Sequence, residues 1–345
     1  MKYLLWPLSA LYWLVTELRN LLYRFNLLNA YESSIYTIGV GNLTVGGAGK
    51  TPHVAYLLQQ LGEVYQMATL SRGYGRQTHG FVVATPQATA RTIGDEPLQL
   101  FRRFGAQVPV VVCEKRAKGL QIIERLFPES ALVLLDDAFQ HRAVQLHTNI
   151  LLTDFGRLFY EDFLLPTGRL REARTGARRA DAIVVSKCVL GLTEAQKNDI
   201  RRQIGQYTKP ETPIFFSAIQ YGTPQPYFTT QPPLNVAAPC VLVSGIAVPV
   251  VFEQAAQQYF NVIHQMAFGD HHDFSPKDLH TILQQAKGGA VLTTEKDFVK
   301  IKPLLADNQA LRCCFYYWPI EVVFLPEKKT NFDEWLANRL IGAKP

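Results

Sequence analysis

Leu4, Leu8, Leu11, Val15, Leu18, Leu22 and Phe25 recur at alternating spacings of three and four, so the first 28 residues read as one amphipathic helix. Trp6, Tyr12 and Trp13 lie beside that stripe and make the first half of the helix apolar all round. Pro7 is tolerated because it falls near the helix start, where its missing N–H has no partner to lose. The apolar run from Tyr3 to Val15 is shorter than the about 20 residues that crossing a bilayer requires. It also lacks the small-residue cleavage site of a removed leader. Indole and phenol rings settle at the headgroup level. The pattern therefore predicts a membrane-associated helix over residues 1–30 that rests on a surface without crossing it.

Beyond Tyr31 short apolar runs alternate with amphipathic segments, the signature of an α/β fold with a parallel sheet. "SIYTIGVG" predicts a first strand and "KTPHVAYLLQQL" the helix after it. "YQMATLS", "VPVVVC", "ALVLLDD", "TNILLTDF", "DAIVVSK" and "TPIFFSAIQY" follow as further strands. Residues 222–239 hold five prolines and little periodicity, so a linker is expected there. "CVLVSGIA" then opens a second α/β pattern that ends in "CCFYYWPIEVVF". The expected organisation is a larger domain over 31–221 and a smaller α/β domain over 240–345 that closes on it.

Composition narrows the picture a little. Hydrophobic residues make up 48% and charged residues 19%, which leaves no room for a long disordered tail. A net charge of +6 points to an anionic partner: nucleic acid, a membrane surface or a phosphorylated substrate. Cys113, Cys188, Cys240, Cys313 and Cys314 show no CxxC spacing, which argues against a zinc site or a disulfide framework.

The chemistry starts at "GNLTVGGAGKTP". Thr44, Val45, Gly46, Gly47, Ala48, Gly49, Lys50 and Thr51 lie between a predicted strand and a predicted helix. In that context backbone N–H groups and the helix N-terminus cradle phosphate. Lys50 is expected on the terminal phosphates and the Thr51 hydroxyl on Mg²⁺. Thr44 stands where the standard spacing has glycine. "LVLLDDAFQH" ends a strand in Asp136 and Asp137, carboxylates placed for the same metal. Val189 occupies the aspartate position of a guanine-reading motif, so ATP is expected over GTP.

Asp95 and Glu96 in "TIGDEP", together with Asp270, His271, His272 and Asp273 in "FGDHHDF", are the candidates for acid–base work. The arginines Arg169, Arg171, Arg174, Arg178 and Arg179 follow a strand end, where guanidinium groups suit phosphate oxygens. Stacking aromatics do not interleave with them, so nucleic acid is not expected as a partner.

"VGNLTVGGAGKTP", "LSRGYGR", "GDEP", "LDDAFQH", "LLPTGRLREAR", "VSGIA", "DHHDF" and "TTEKD" stand in the order found in the tetraacyldisaccharide 4'-kinase (lipid A kinase) family, which this chain resembles from about residue 36 to 300. The first 28 residues resemble that family's membrane-associated segment. The resemblance implies a P-loop NTPase-like three-layer α/β/α domain, a second α/β domain, and an active site between them. It implies transfer of the γ-phosphate of ATP to the 4'-hydroxyl of a tetraacyldisaccharide 1-phosphate, in lipid A synthesis at the cytoplasmic face of the inner membrane.

Carried onto this chain, the resemblance makes Asp95 the catalytic aspartate and His271 its partner, with Lys50 and Arg171 at the reacting phosphates. Thr51, Asp136, Asp137 and Glu96 fall to Mg²⁺, and Arg72, Tyr74, Arg169 and Glu172 to the lipid disaccharide monophosphate. The threonine at position 44 is a trait of that family. A peripheral or monotopic monomer is expected. The rival readings are a membrane-associated ATPase of the protein-targeting or metallochaperone type, and a soluble metabolite kinase.

Overall fold

The computed structural model describes residues 5–305, 314–327 and 330–341; Tyr3, Leu4 and Cys313 lie outside them. The fold is mixed α/β and built on two mainly parallel sheets. The larger runs in the order Ile320–Phe324, Ile214–Tyr221, Ala182–Ser186, Thr148–Asp154, Tyr36–Asn42, Leu132–Asp136, Met67–Ser71, Val110–Val112, Val82–Val83. Neighbours from Ile214–Tyr221 to Val110–Val112 pair in parallel, and only the two outermost strands are antiparallel.

The reason lies in the sequence. Met67–Ser71, Leu132–Asp136 and Ala182–Ser186 are buried at every position, as strands covered on both faces must be. Leu132 and Leu134 join one core with Leu57 and Leu98, while Val133 and Leu135 join another with Leu120 and Ile123. Helices therefore cover both faces, and the loops at the carboxyl ends of the central strands are left open to form a site.

The smaller sheet runs Gln225–Pro226, Phe315–Trp318, Ala290–Thr294, Pro239–Ser244, Asn261–Ala267. Two of its helices start from side-chain caps. Ser275 accepts from the Asp278 N–H ahead of Pro276–Ala286, and Thr294 accepts from the Asp297 N–H ahead of Glu295–Ile301.

The expected partition at 222–239 and 240–345 differs from the structure in two places. Gln225–Pro226 of the expected linker pairs with Phe315–Trp318, and Tyr227 is buried in the core against the smaller sheet. At the other end, "FYYWPIEVVF" is two strands. Phe315–Trp318 stays in the smaller sheet, and Pro319 breaks the run. Ile320–Phe324 then crosses back to pair antiparallel with Ile214–Tyr221. The helix Phe332–Leu340 follows it, burying Phe332, Leu336 and Leu340 in the core that holds Val40, with Phe332 stacked 4.1 Å from Phe324. Both strands are apolar and suit either sheet, so periodicity alone could not separate them.

The helix Trp6–Arg24 packs with its polar side inward. The Ser9 hydroxyl lies 2.7 Å from that of Thr167, Tyr12 Oη donates to the Arg171 carbonyl at 2.9 Å, and Asn20 Nδ2 lies 3.4 Å from Glu172 Oε2. Leu8, Leu11, Leu14, Val15 and Leu18 face outward, each more than half exposed at 54–61%. Among the described residues, no helix is long and apolar enough to cross a membrane.

Candidate active site

The glycine-rich loop leaves the central strand at Asn42 and enters the helix Lys50–Leu61. Gly46 and Gly49 hold φ of +111° and +79°, the left-handed region that side chains resist. Thr44 is not left-handed. It forms an antiparallel bridge with Leu170, the Val45 N–H donates to the Arg169 carbonyl at 2.8 Å, and the Thr44 hydroxyl accepts from Asn42 Nδ2 at 3.1 Å. A glycine is therefore unnecessary at position 44, because a neighbouring segment sets the backbone there.

Other side chains hold the loop from behind. Ser186 donates to the Ala48 carbonyl at 2.9 Å, and Lys187, itself at a φ of +59°, donates to the Gly47 carbonyl and to Asp154. His53 sits beneath, against the Gly49 carbonyl. These bonds occupy carbonyls; the Val45 N–H is held by the Arg169 carbonyl and the Ala48 N–H by the Gly46 carbonyl, which leaves the N–H groups of Gly46, Gly47, Gly49, Lys50 and Thr51 for an anion.

Lys50 Nζ donates to Asn42 Oδ1 at 3.1 Å and lies 3.7 Å from Asp137 Oδ1. The two adjacent carboxylates have different surroundings. Asp136 ends its strand opposite Val40 and accepts at Oδ2 from the Thr51 hydroxyl at 3.2 Å, while its Oδ1 is buried and has no hydrogen-bond partner among the described residues. Burial pushes this carboxyl up to about 6; the Lys50 charge opposes, and Asp137 and Glu96 add to the rise.

Asp137 adopts a φ of +51°, which turns it toward Arg171, whose Nη1 and Nη2 donate to it at 3.0 and 2.8 Å. Burial would raise its carboxyl too, but the Arg171 bonds and the Lys50 charge hold it at about 2. A buried carboxylate oxygen without a donor, beside a threonine hydroxyl at the mouth of the loop, is an arrangement that could hold a divalent cation. Mg²⁺ commonly takes only one or two protein ligands beside substrate phosphates. Among the described residues, no group of three or more His, Cys, Asp or Glu gathers into an all-protein metal cage.

Asp95 opens the helix Asp95–Phe104, positioned by Gly94 at a φ of +93°. His271 comes from the loop after Asn261–Ala267 of the smaller sheet, at a φ of +59°, and its Nδ1 meets Asp95 Oδ2 at 3.0 Å. Its Nε2 lies 3.8 Å from Glu96 Oε1. Since Glu96 also acts electrostatically on Asp136, this pair between the two sheets stands close to the paired aspartates. A cavity of about 280 Å³, lined by Tyr74, Gln77, Arg91, Asp95, His271 and Lys300 among others, opens beside it.

The remaining expected residues divide. Tyr74 is exposed, with its ring 5.7 Å from that of His271. The Arg169 side chain is exposed beside the glycine-rich loop. Arg72 is exposed near Arg116 and His141, and its charge, after burial and Arg116, helps push His141 down to about 4. Glu172 was expected at the substrate, but it is fully buried. It receives Arg179 Nη2 at 2.8–2.9 Å and Gln140 Nε2 at 2.9 Å, so it supports the segment from inside. Successive side chains point opposite ways there: Arg171 outward to Asp137, Glu172 inward. His272 bonds Asp278 at 3.2 Å and stacks on Phe268, a structural placement.

Sequence reasoning missed Asn42, which receives both Lys50 and Arg171. Its position at the strand end, immediately before the loop, was the available signal. Lys187 was missed too, although it lies in the strand-end segment read for a guanine motif.

A family model described as tetraacyldisaccharide-1-P 4'-kinase matches residues 1–341. A tetraacyldisaccharide 4'-kinase of Cytophaga hutchinsonii is 41% identical over 333 residues, covering 93% of this chain and 91% of that protein. One from Flavobacterium psychrophilum is 38% identical over 339 residues, covering 97% and 95%. Among solved structures, the LpxK of Aquifex aeolicus in complex with ATP superposes with a TM-score of 0.76 at 27% identity, covering 98% of this chain and 99% of that one.

Proposed function

The chain belongs to the tetraacyldisaccharide 4'-kinase family, and from that premise we propose how its cleft performs the family's reaction. It is an ATP-dependent kinase that transfers the γ-phosphate of ATP to the 4'-hydroxyl of a tetraacyldisaccharide 1-phosphate in lipid A biosynthesis. ATP lies on a phosphate loop of the NTPase type, its phosphates against the N–H groups of Gly46, Gly47, Gly49, Lys50 and Thr51, with the Lys50 ammonium on the terminal phosphates. Arg171 stays on Asp137 and adds positive charge beside Lys50. Mg²⁺, when bound at Asp136 and Thr51, supplies charge that offsets the negative charge developing on the phosphoryl oxygens.

The acceptor enters the cavity beside Asp95. Asp95, oriented by His271, takes the proton of the 4'-hydroxyl as its oxygen forms a bond to the γ-phosphorus. The bond between that phosphorus and the β–γ bridging oxygen breaks, and the electron pair leaves with ADP. Lys50 offsets charge spread over the transferred group. Tyr74, Arg169 and Arg72 border the approach to the acceptor.

The helix Trp6–Arg24 holds the enzyme on the membrane. Its outward face exposes an apolar band that water would penalise and acyl chains would cover. The enzyme works as a monomer at the cytoplasmic face of the inner membrane, with no nucleic-acid partner.

The observation that carries the mechanism is the Asp95–His271 contact, made across the two domains at 3.0 Å beside the cavity. Asp95→Ala should lower kcat by about 100-fold or more, the usual worth of a positioned general base, with KM for ATP changed less than about threefold. A variant that turned over normally would remove Asp95 from the reaction.

A further inference from the structure

The helix Glu295–Ile301 presents two lysines one turn apart to the Asp95–His271 pair, and neither has a place in the mechanism above. Lys300 has a side chain only 4% exposed, and its Nζ lies 3.3 Å from Asp95 Oδ2 and 3.5 Å from Asp297 Oδ1. Asp297 is itself fully buried and fixed at Oδ2 by the Gly245 N–H at 2.8 Å and the Thr294 hydroxyl at 2.6 Å. An ammonium this deeply buried is retained only where carboxylates pair with it. Here one of the two carboxylates belongs to the other domain. His271 Nδ1, at hydrogen-bond distance, and Lys300 Nζ, as an ion pair without hydrogen-bond geometry, both sit against the same oxygen of Asp95, Oδ2. That leaves Oδ1 to face the acceptor.

Lys296 attends to the other member of the pair. Its Nζ lies 3.2 Å from His271 Nε2 and donates to Asp270 Oδ1 at 3.0 Å. An ammonium donates and cannot accept, so Nε2 must offer its lone pair and the ring proton sits on Nδ1, donating to Asp95. With Nε2 occupied in this way, His271 is not free to take the acceptor's proton itself. The proton goes to Asp95 Oδ1, and His271 serves to orient that carboxylate.

We propose that Lys300 and Lys296 are positioning residues for phosphoryl transfer: Lys300 anchors Oδ2 of Asp95 so that Oδ1 meets the acceptor hydroxyl, and Lys296 holds His271 in its Nδ1–H form. The proposal rests on Asp95 being the base. Lys300 acts through its position against Asp95 and takes no part in the proton transfer. The same contacts tie the smaller domain to the larger at the reacting centre, which couples domain closure to alignment of the base.

The full-length enzyme, assayed with ATP, Mg²⁺ and detergent-dispersed tetraacyldisaccharide 1-phosphate, tests this in two backgrounds. In the wild-type background Lys300→Met should lower kcat about 30- to 100-fold, the cost of a base misplaced by about 1 Å, with KM for ATP moved less than about threefold. Lys300→Arg, which keeps the charge, should recover at least about tenfold of that loss. Lys296→Met should lower kcat by about tenfold or more.

In the Asp95→Asn background Lys300→Met should cost less than about twofold further, because its only route of action is gone. A lysine that merely held the fold, or one that touched the acceptor directly, would cost as much in the second background as in the first, and that result would overturn the proposal. Normal turnover in Lys300→Met would also overturn it. Normal turnover in Asp95→Asn would instead strike the underlying assignment of the base, so the two failures are told apart.

Discussion

Replacing His53 with glutamine is a perturbation whose size follows from the structure. The imidazole is 3% exposed beneath the phosphate loop, with Nδ1 2.7 Å from the Gly49 carbonyl and Nε2 2.9 Å from the Ser217 hydroxyl. A carbonyl only accepts, so Nδ1 carries the proton and Nε2 accepts from Ser217. Burial pushes the imidazole down to about 4; the Gly49 carbonyl opposes this, and the Lys187 charge adds to it.

The folded value lies below the unfolded one of about 6.5. The neutral ring therefore contributes stability that is complete above pH about 6.5 and is lost as the pH falls toward about 4. Integrating both titrations gives a loss of about 2 kcal/mol between about pH 7 and about pH 5 from this one side chain. Asp136 acts in the opposite sense. Its carboxyl, raised to about 6, takes up a proton in the folded state first and favours folding as the pH drops, but it is present in both proteins and cancels.

Urea denaturation of wild type and His53→Gln at the two pH values supplies the test. The wild type should lose about 2 kcal/mol more than the variant, whose amide does not titrate. Equal losses, within about 0.5 kcal/mol, would mean that the ring is not held neutral under the loop, and would refute the reasoning.

Two further predictions concern the N-terminal helix and the segment it touches. Glu172→Ala strands the Arg179 guanidinium beside a buried void and should destabilise the protein by about 3 kcal/mol, read as a fall in the denaturation midpoint. Leu14→Glu with Leu18→Glu alters only the exposed outward face of the helix, and by removing two leucines that a bilayer would cover should weaken binding to anionic vesicles about 100-fold in a flotation assay, with the thermal midpoint unchanged.

The phosphate loop was legible because its residues are consecutive and the strand and helix that frame it have clear periods. The Asp136–Asp137 pair was legible for the same reason, but not its division of labour. That depends on a φ of +51° at Asp137 and on Arg171 arriving from another loop. No spacing brings Asp95 to His271, which lie 176 residues apart; that pairing came from resemblance, and the two-sheet architecture supplies the proximity. Glu172 misled because its neighbour Arg171 belongs to the site, and in an irregular segment nothing in the sequence says which side chain turns inward. The apolar stripe of the first helix was plain and pointed away from the protein, whereas the contacts that Ser9, Tyr12 and Asn20 make on its other side required the fold to be seen.

The destination of the γ-phosphate is decisive. Purified enzyme given Mg²⁺, ATP radiolabelled at its γ-phosphate and tetraacyldisaccharide 1-phosphate should place the label on the lipid at the 4'-oxygen, and Asp95→Ala should bind the nucleotide yet leave the lipid unlabelled. Label recovered as free phosphate at the same rate with or without the lipid would contradict it, and would make the cleft that of an ATPase.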